Sequence, residues 1–421
     1  MATNIPDSTL SMDVFRALTP LKVLIVSEQD SNENDDQQPF FNAITRAFQG
    51  GTKTTLDGTE EYYATGGELG VDVRRFVGEK FWGNMEKKIA PKHSPPNVGK
   101  IITTCGHLLI IVFLKGEASA NSWFGKWLDE VSLLASKKPY DVQIGILPIL
   151  FDTEAGKTSL KYFNAFQRLA ITELGETALR AGYLGLLSLQ NAWVLVGAGS
   201  KQPIKLFVSH AKLDGAPIAL ALKSQIESLR FLQRFYDAQN ILPGERWQQA
   251  LQEGVQTSVL VVLRTDIYEQ RSWCVQELEW AEQFGGPAVV VDLRNSLAMP
   301  REALPVAGMS TVKIHDGNLV RILNEAMREA LRVRLFERSI QLLEDAGALK
   351  VRQTIRLTRA SISALGIACQ DRVNDAIDAV VVSEPFRQAY RPAAVKLVDA
   401  YFGGKAMLGT LTDFAVRGKI S

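Results

Sequence analysis

The stretch SVLVVLRTDIYEQRSWCVQELEWAEQFGGPAVVVDL, Ser258–Leu293, decides the fold. It opens on an apolar, β-branched run, passes through a polar turn, continues as a helix-length segment from Arg271 to Phe284, and closes on a second apolar run, Pro287–Leu293. Uninterrupted apolar runs of this length suit strands buried on both faces of a parallel sheet. A strand–helix–strand unit of this kind is the repeating piece of an α/β fold.

Outward from this stretch, Ile204–Asp214 (IKLFVSHAKLD) reads as the first strand of the same unit, ending in a polar turn. Between the two, Pro243-Gly244 marks a surface loop that runs into a short helix. The same order of elements occurs earlier: LKVLIVSEQD at Leu21–Asp30, LLIIVFLKG at Leu108–Gly116, NSWFGKWLDEVSLLA at Asn121–Ala135 and QIGILPIL at Gln143–Leu150. Two related α/β units, each a parallel sheet flanked by helices, are therefore expected, over residues 21–196 and 204–336, behind an N-terminal tail of residues 1–20. The Gly, Ser and Pro of VGAGSKQP, Val196–Pro203, mark the linker between them. Thr158–Leu187 reads as helix and Asp57–Gly83 as a long loop. From Asn318 onward apolar residues recur at three- and four-residue spacing up to a Gly347 cap, so residues 337–421 are expected to be a helical region, with further helices at Val351–Ala368, Arg372–Val382 and Ala393–Phe402.

Composition excludes several classes of function. A chain of 421 residues with 46% hydrophobic and 22% charged residues is of globular type and long enough for two or three domains. No stretch approaches the ~18 apolar residues of a membrane span, and MATNIPDSTLSMDVF lacks the basic start of a secretory signal, so a cytoplasmic location is expected. Cys105, Cys274 and Cys369 lie far apart, without metal-ligand or disulfide-framework spacing, which points to reduced thiols and no metal. Lys+Arg 47 against Asp+Glu 46 offers nucleic acid no electrostatic attraction.

The chemistry concentrates at Trp273, Cys274, Glu277 and Leu278, a W-C-x-x-E-L box just inside the helix after a buried strand. Spacing of three to four residues aligns Trp273, Cys274 and Glu277 along one helix face. Ligands of open parallel sheets bind beyond the carboxyl ends of the strands, where this helix starts. The turn Ser209–Asp214 and the loop Asp237–Trp247 converge on the same edge.

LFVSHAKLDG, then D-x-x-x-I-L-P-G-x-x-W, an apolar strand and S-W-C-x-x-E-L together resemble the TIR domain in order and spacing, over roughly a third of the chain. The resemblance implies a flavodoxin-like parallel sheet flanked by helices, and an NAD⁺ glycohydrolase that releases nicotinamide and ADP-ribose or a cyclised form, with Glu277 as catalytic carboxylate and NAD⁺ as substrate rather than cofactor. It further implies that Phe207, Ser209, His210, Asp214, Asp237, Trp247, Trp273 and Cys274 line the substrate pocket, and that Ile241, Leu242, Pro243, Gly244 and Glu245 form the loop through which TIR domains self-associate. A bacterial anti-phage effector switched on by assembly follows, with a nucleotide or an upstream sensor protein as its signal. A carboxylate suits the task, because breaking the nicotinamide–ribose bond develops oxocarbenium character.

Plainer readings stand beside these. Outside its box Glu277 reads as an exposed helix residue, Trp273 reads equally as a core anchor or a ligand contact, Cys274 reads as a small buried hydrophobe with no chemistry assigned, and His210 as a loop residue or pocket lining. The whole domain reads alternatively as a non-catalytic adaptor that acts by TIR–TIR association, or as a transferase acting on another ribosylated substrate. In the first unit, alignment on Ser122-Trp123 sets Trp127 where the second has Glu277, with Asp129 and Glu130 two and three residues late. At ~100° per residue those acids are rotated off that face. The first unit is therefore expected to be a degenerate TIR-like or other Rossmann-like α/β domain, catalytically silent, with a role in ligand sensing or assembly.

Overall fold

The computed structural model describes residues 16–27, 36–49, 52–54, 60–62, 71–77, 80–82, 97–118, 122–137, 142–163, 168–171, 177–197, 203–229, 234–236, 247–294, 309–314, 318–359, 361–383 and 391–417. The first unit runs β1 (Leu21–Ser27), α1 (Gln38–Gln49), β2 (Thr52–Thr54), β3 (Glu60–Tyr62), β4 (Val71–Val77), β5 (Lys80–Trp82), α2 (Val98–Ile102), β6 (His107–Leu114), α3 (Trp123–Lys137), β7 (Gln143–Leu150), α4 (Ala155–Phe163), β8 (Leu169–Ala170) and α5 (Thr177–Val196). The second runs β9 (Lys205–His210), α6 (Ala216–Ser228), β10 (Arg234–Tyr236), α7 (Trp247–Thr257), β11 (Val259–Arg264), α8 (Ser272–Gln283), β12 (Ala288–Asp292), β13 (Ser310–Lys313) and the long α9 (Leu319–Asp345).

The second sheet has the order β10-β9-β11-β12-β13, parallel throughout. The first has β5-β4-β1-β6-β7-β8, parallel except for the antiparallel edge strand β5. In both, the opening strand lies between the second and third parallel strands, which is the flavodoxin-like order and puts a topological switch point beside it. The central strands β1, β6 and β11 are buried nearly end to end, as strands covered by helices on both faces must be.

The two units share one apolar core. Leu21, Ile111 and Leu189 of the first and Leu206, Val261 and Leu331 of the second belong to a single continuous cluster. Helix α5 lies between α1 and α9. At Gly185 an added Cβ would sit 3.2 Å from both the Ala43 carbonyl oxygen and the Ala47 side chain, so glycine is what lets α5 approach α1 this closely. From α9, the Arg334 guanidinium lies 3.3 Å from the centre of the Trp193 ring and donates to the Trp193 carbonyl at 2.8 Å, while Asn324 donates to the Gly182 carbonyl at 3.0 Å.

Several elements differ from the sequence expectation. Asp57–Gly83 is not simply a loop, since it contains β3, β4 and β5. Thr158–Leu187 is not one helix: α4 ends at Phe163 and the two-residue β8, too short to leave a periodicity, pairs with β7 before α5 begins. Helix α9 runs on past Phe336, so the expected boundary there falls inside an element. The C-terminal region, expected as helical, instead holds a third parallel sheet, β14 (Thr354–Leu357), β15 (Ala379–Val382) and β16 (Met407–Thr410), with α10 (Ile362–Asp371), α11 (Arg391–Phe402) and α12 (Leu411–Arg417). The run AVVV of β15 is buried at every position, and its β-branched side chains suit a doubly covered strand better than the end of a helix. No helix among the described residues is long and apolar enough to cross a membrane.

Candidate active site

The site forms at the carboxyl edge of the second sheet, on the face covered by α8. Side chains alternate along β9, so Phe207 and Ser209 share one face while Val208 and His210 take the other. Phe207 is buried in the cluster that also holds Leu260, Val262, Tyr268, Cys274 and Trp280, which makes it a core residue beneath the edge. Ser209, one step further along the same face, reaches the edge and is buried.

Beyond β11 the chain makes a single 3₁₀ turn, Tyr268–Gln270, before α8 begins. This turn buries Tyr268 completely. The Tyr268 hydroxyl donates to the Cys274 carbonyl at 3.0 Å and lies 2.7 Å from Ser209 Oγ. A phenol has one proton, so with that proton on the Cys274 carbonyl it is Ser209 that donates to Tyr268. One relay thereby ties the end of β9 to the first turn of α8.

Glu277 lies one turn beyond Cys274 on α8 and is 7% exposed, so it is not the solvated helix carboxylate of the plain reading. Burial first and the Glu277 charge second push the Tyr268 hydroxyl well above the usual phenol range and the Cys274 thiol up to about 12. Both neighbours are consequently protonated at neutral pH, which leaves Cys274 without nucleophilic character. Trp273, in the first turn of α8 and four residues before Glu277, is 42% exposed, which removes its reading as a core anchor.

The remaining expected residues divide. His210 is half buried on the opposite face of β9, with Nδ1 3.3 Å from the Val208 carbonyl oxygen. Asp214 joins two loops: its carboxylate accepts from Thr265 Oγ1 at 2.7 Å and from the Ile267 amide at 3.4 Å. Asp237, Ile241, Leu242, Pro243, Gly244 and Glu245 lie outside the described residues, as does the side chain of Trp247, whose backbone opens α7.

Residues that sequence reasoning did not single out also shape this edge. Tyr268 is the main one, and its signal was an aromatic hydroxyl between a strand end and a helix start. Two guanidinium–carboxylate pairs close the carboxyl ends of β11 and β12: Arg264 Nε donates to Glu269 at 2.6 Å, and Arg294 grips both Asp292 oxygens at 2.8 and 2.9 Å. The Arg294 hydrogen bonds hold the Asp292 carboxyl below the usual carboxylate range. In the first unit, Trp127 of α3 is fully buried, stacked on Phe124 with ring centres 6.2 Å apart, so a core aromatic stands where the alignment sets Glu277.

Fold and site together define a flavodoxin-like α/β protein with a polar, carboxylate-bearing edge at its second sheet. Residues 206–332 match the family model described as TIR domain, and this part of the chain is a TIR domain. No curated protein matches the chain. Among solved structures, the C-terminal domain of glucosamine-fructose-6-phosphate aminotransferase from Francisella tularensis aligns over 78% of this chain and 86% of that one, at 11% identity and a TM-score of 0.20, a likeness too weak to bear on fold or function. The match supports a TIR-type function, signalling or NAD⁺ cleavage, for this domain.

Proposed function

We propose that the TIR domain cleaves the nicotinamide–ribose bond of NAD⁺, with Glu277 as the catalytic carboxylate. As nicotinamide leaves with the bonding electron pair, positive charge develops on the ribose, and the Glu277 carboxylate stabilises it or orients the ribose hydroxyls. Water then adds to the ribose and gives ADP-ribose and a proton, or an internal nucleophile closes a cyclic product. The observation that carries this reading is the burial of Glu277 beside two protonated groups, Tyr268 and Cys274. Charge stabilisation by a fixed carboxylate is stronger in such a water-poor corner than in bulk solvent. Trp273, exposed on the same helix, is suited to stack on the nicotinamide or adenine ring.

In this proposal the first unit, with Trp127 in its core, is catalytically silent and serves sensing or assembly. Self-association through the TIR domain builds the active state, and NAD⁺ depletion is the effector step of anti-phage defence. The test is nicotinamide release from NAD⁺ by the purified full chain across a concentration series, compared with Glu277→Gln. Release that rises with assembly and is lost in the variant is expected. Equal release by the two proteins sinks the proposal.

A second reading, the non-catalytic adaptor, is favoured by the exposed apolar side chains Leu213 and Trp273 at the same edge. It predicts that Glu277→Gln keeps full cellular function while Leu213→Asp loses it.

A further inference from the structure

The C-terminal sheet grips the far end of the helix that carries Glu277. Helix α8 closes in a Schellman turn, with Gly286 N–H donating to the Ala281 carbonyl at 3.1 Å, Gly285 N–H donating to the Glu282 carbonyl at 3.2 Å, and Gly285 at φ +61°. The segment after β14 takes hold of this turn. Thr358 Oγ1 donates to the Gly285 carbonyl, and Arg359, 3% exposed, donates to the Gly286 carbonyl and, at 3.3 Å, to the Glu282 carboxylate. Ser361, which caps α10, donates to the other Glu282 oxygen. A guanidinium at a helix carboxyl end also complements the negative pole of the helix.

The grip is itself anchored from behind. Arg332 of α9 donates to the Thr358 carbonyl and pairs with Glu329, which accepts from Ser310 of β13 at 2.8 Å, while Ser383 after β15 donates to the Thr358 carbonyl at 2.7 Å. Glu282, Glu329, Arg332 and Arg359 are all buried. Buried ion pairs contribute little net stability against apolar packing of the same volume, whereas removing one partner of such a pair is strongly destabilising. Helix α8 is thus tied at both ends, by Tyr268 to the Cys274 carbonyl and by Arg359 and Thr358 to its closing turn, with Glu277 between.

We infer that Arg359 and Thr358 are positioning residues for Glu277, and that the C-terminal sheet completes the TIR active site by fixing the register of α8. The catalytic half of this inference rests on the cleavage function proposed above. The test uses the full chain with Arg359→Met, Thr358→Val and Thr358→Ser, reading amide hydrogen exchange of Ser272–Gln283 together with NAD⁺ cleavage. In Arg359→Met and Thr358→Val the α8 amides exchange faster while those of β9 and β11 keep their rates. A displaced Glu277 lowers kcat, by up to about 100-fold in Arg359→Met, with KM held within about 2-fold. Thr358→Ser, which keeps the hydroxyl, restores both readouts.

Unchanged α8 exchange in both disruptive variants overturns the inference, as does faster exchange with unchanged kcat. If Arg359→Met does not fold, the Thr358→Val and Thr358→Ser pair decides alone. A wild-type chain that releases no nicotinamide under any assembly condition removes the cleavage function and the positioning role with it. The exchange comparison then still decides whether the C-terminal sheet holds α8.

Discussion

Ser209 and Tyr268 stand 59 positions apart and share a 2.7 Å hydrogen bond at the edge of the sheet. Through it the first strand of the TIR domain sets where α8 starts, because the same phenol donates to the Cys274 carbonyl. Tyr268→Phe keeps the ring and its packing but removes both bonds. Leaving buried polar partners unsatisfied costs ~1–3 kcal/mol. Urea unfolding of the variant should show a loss in that range, with kcat for NAD⁺ falling in step because the first turn of α8 loosens. A variant as stable and as active as the wild type would remove the relay from the account of the site.

His107, at the start of β6, is 3% exposed, and burial pulls its pKa down to about 4, opposed by the Pro20 carbonyl that lies 3.2 Å from Nδ1 and assisted by the Arg338 charge. Its folded value lies below its ordinary value of 6.5, so between these limits the unfolded chain binds more protons and stability rises with pH. The contribution is fully present above about pH 6.5 and is lost as pH falls toward 4, up to about 3 kcal/mol in all. Unfolding by urea at pH 7 and pH 5 should show the wild type weaker at pH 5. His107→Gln should reduce that difference.

The legible and illegible parts of the chain divide by distance along it. The W-C-x-x-E-L box and the strands around it could be read because each signal lies within one or two elements, and the apolar runs of β6 and β11 announce doubly covered strands by themselves. Tyr268 could not, since its role depends on Ser209, which the sheet alone brings near. The third sheet escaped for another reason. Its four-residue strands TIRL, AVVV and MLGT are shorter than the windows in which helical and strand periods separate, and the helices between them supplied the stronger pattern. Arg359 and Glu282 carry no sequence signal at all, because a buried ion pair and a solvated one use the same residues.

The three thiols make a further check on the packing. Cys105, Cys274 and Cys369 are all buried, and burial pushes Cys369 up to about 11 as it helps push Cys274 up to about 12. Reaction requires an accessible thiolate. At pH 8 a disulfide reagent should find no fast thiol in the native chain and three after denaturation. Cys274→Ala should retain nicotinamide release, because no thiolate chemistry is assigned to it. Rapid labelling of Cys274 in the native protein would contradict the packing around Glu277.

Trp273 and Glu277 lie four residues apart on α8 but are expected to fail differently. At 42% exposure Trp273 stabilises little by burial, and alanine is the better helix former, so Trp273→Ala should change stability by less than ~1 kcal/mol. If the indole stacks on a ring of NAD⁺, its removal costs ~0.5–1.5 kcal/mol of binding, which is about 2- to 12-fold in KM. That interaction exists before and during bond cleavage, so kcat should hold. If Glu277 is the catalytic carboxylate, Glu277→Gln acts on charge that appears only as the bond breaks, so it should lower kcat and leave KM nearly unchanged. Measuring kcat and KM separately for the two variants therefore distinguishes a residue that holds the substrate from one that stabilises its transition state. A Trp273→Ala variant with lowered kcat and unchanged KM would assign the indole to the reacting centre instead.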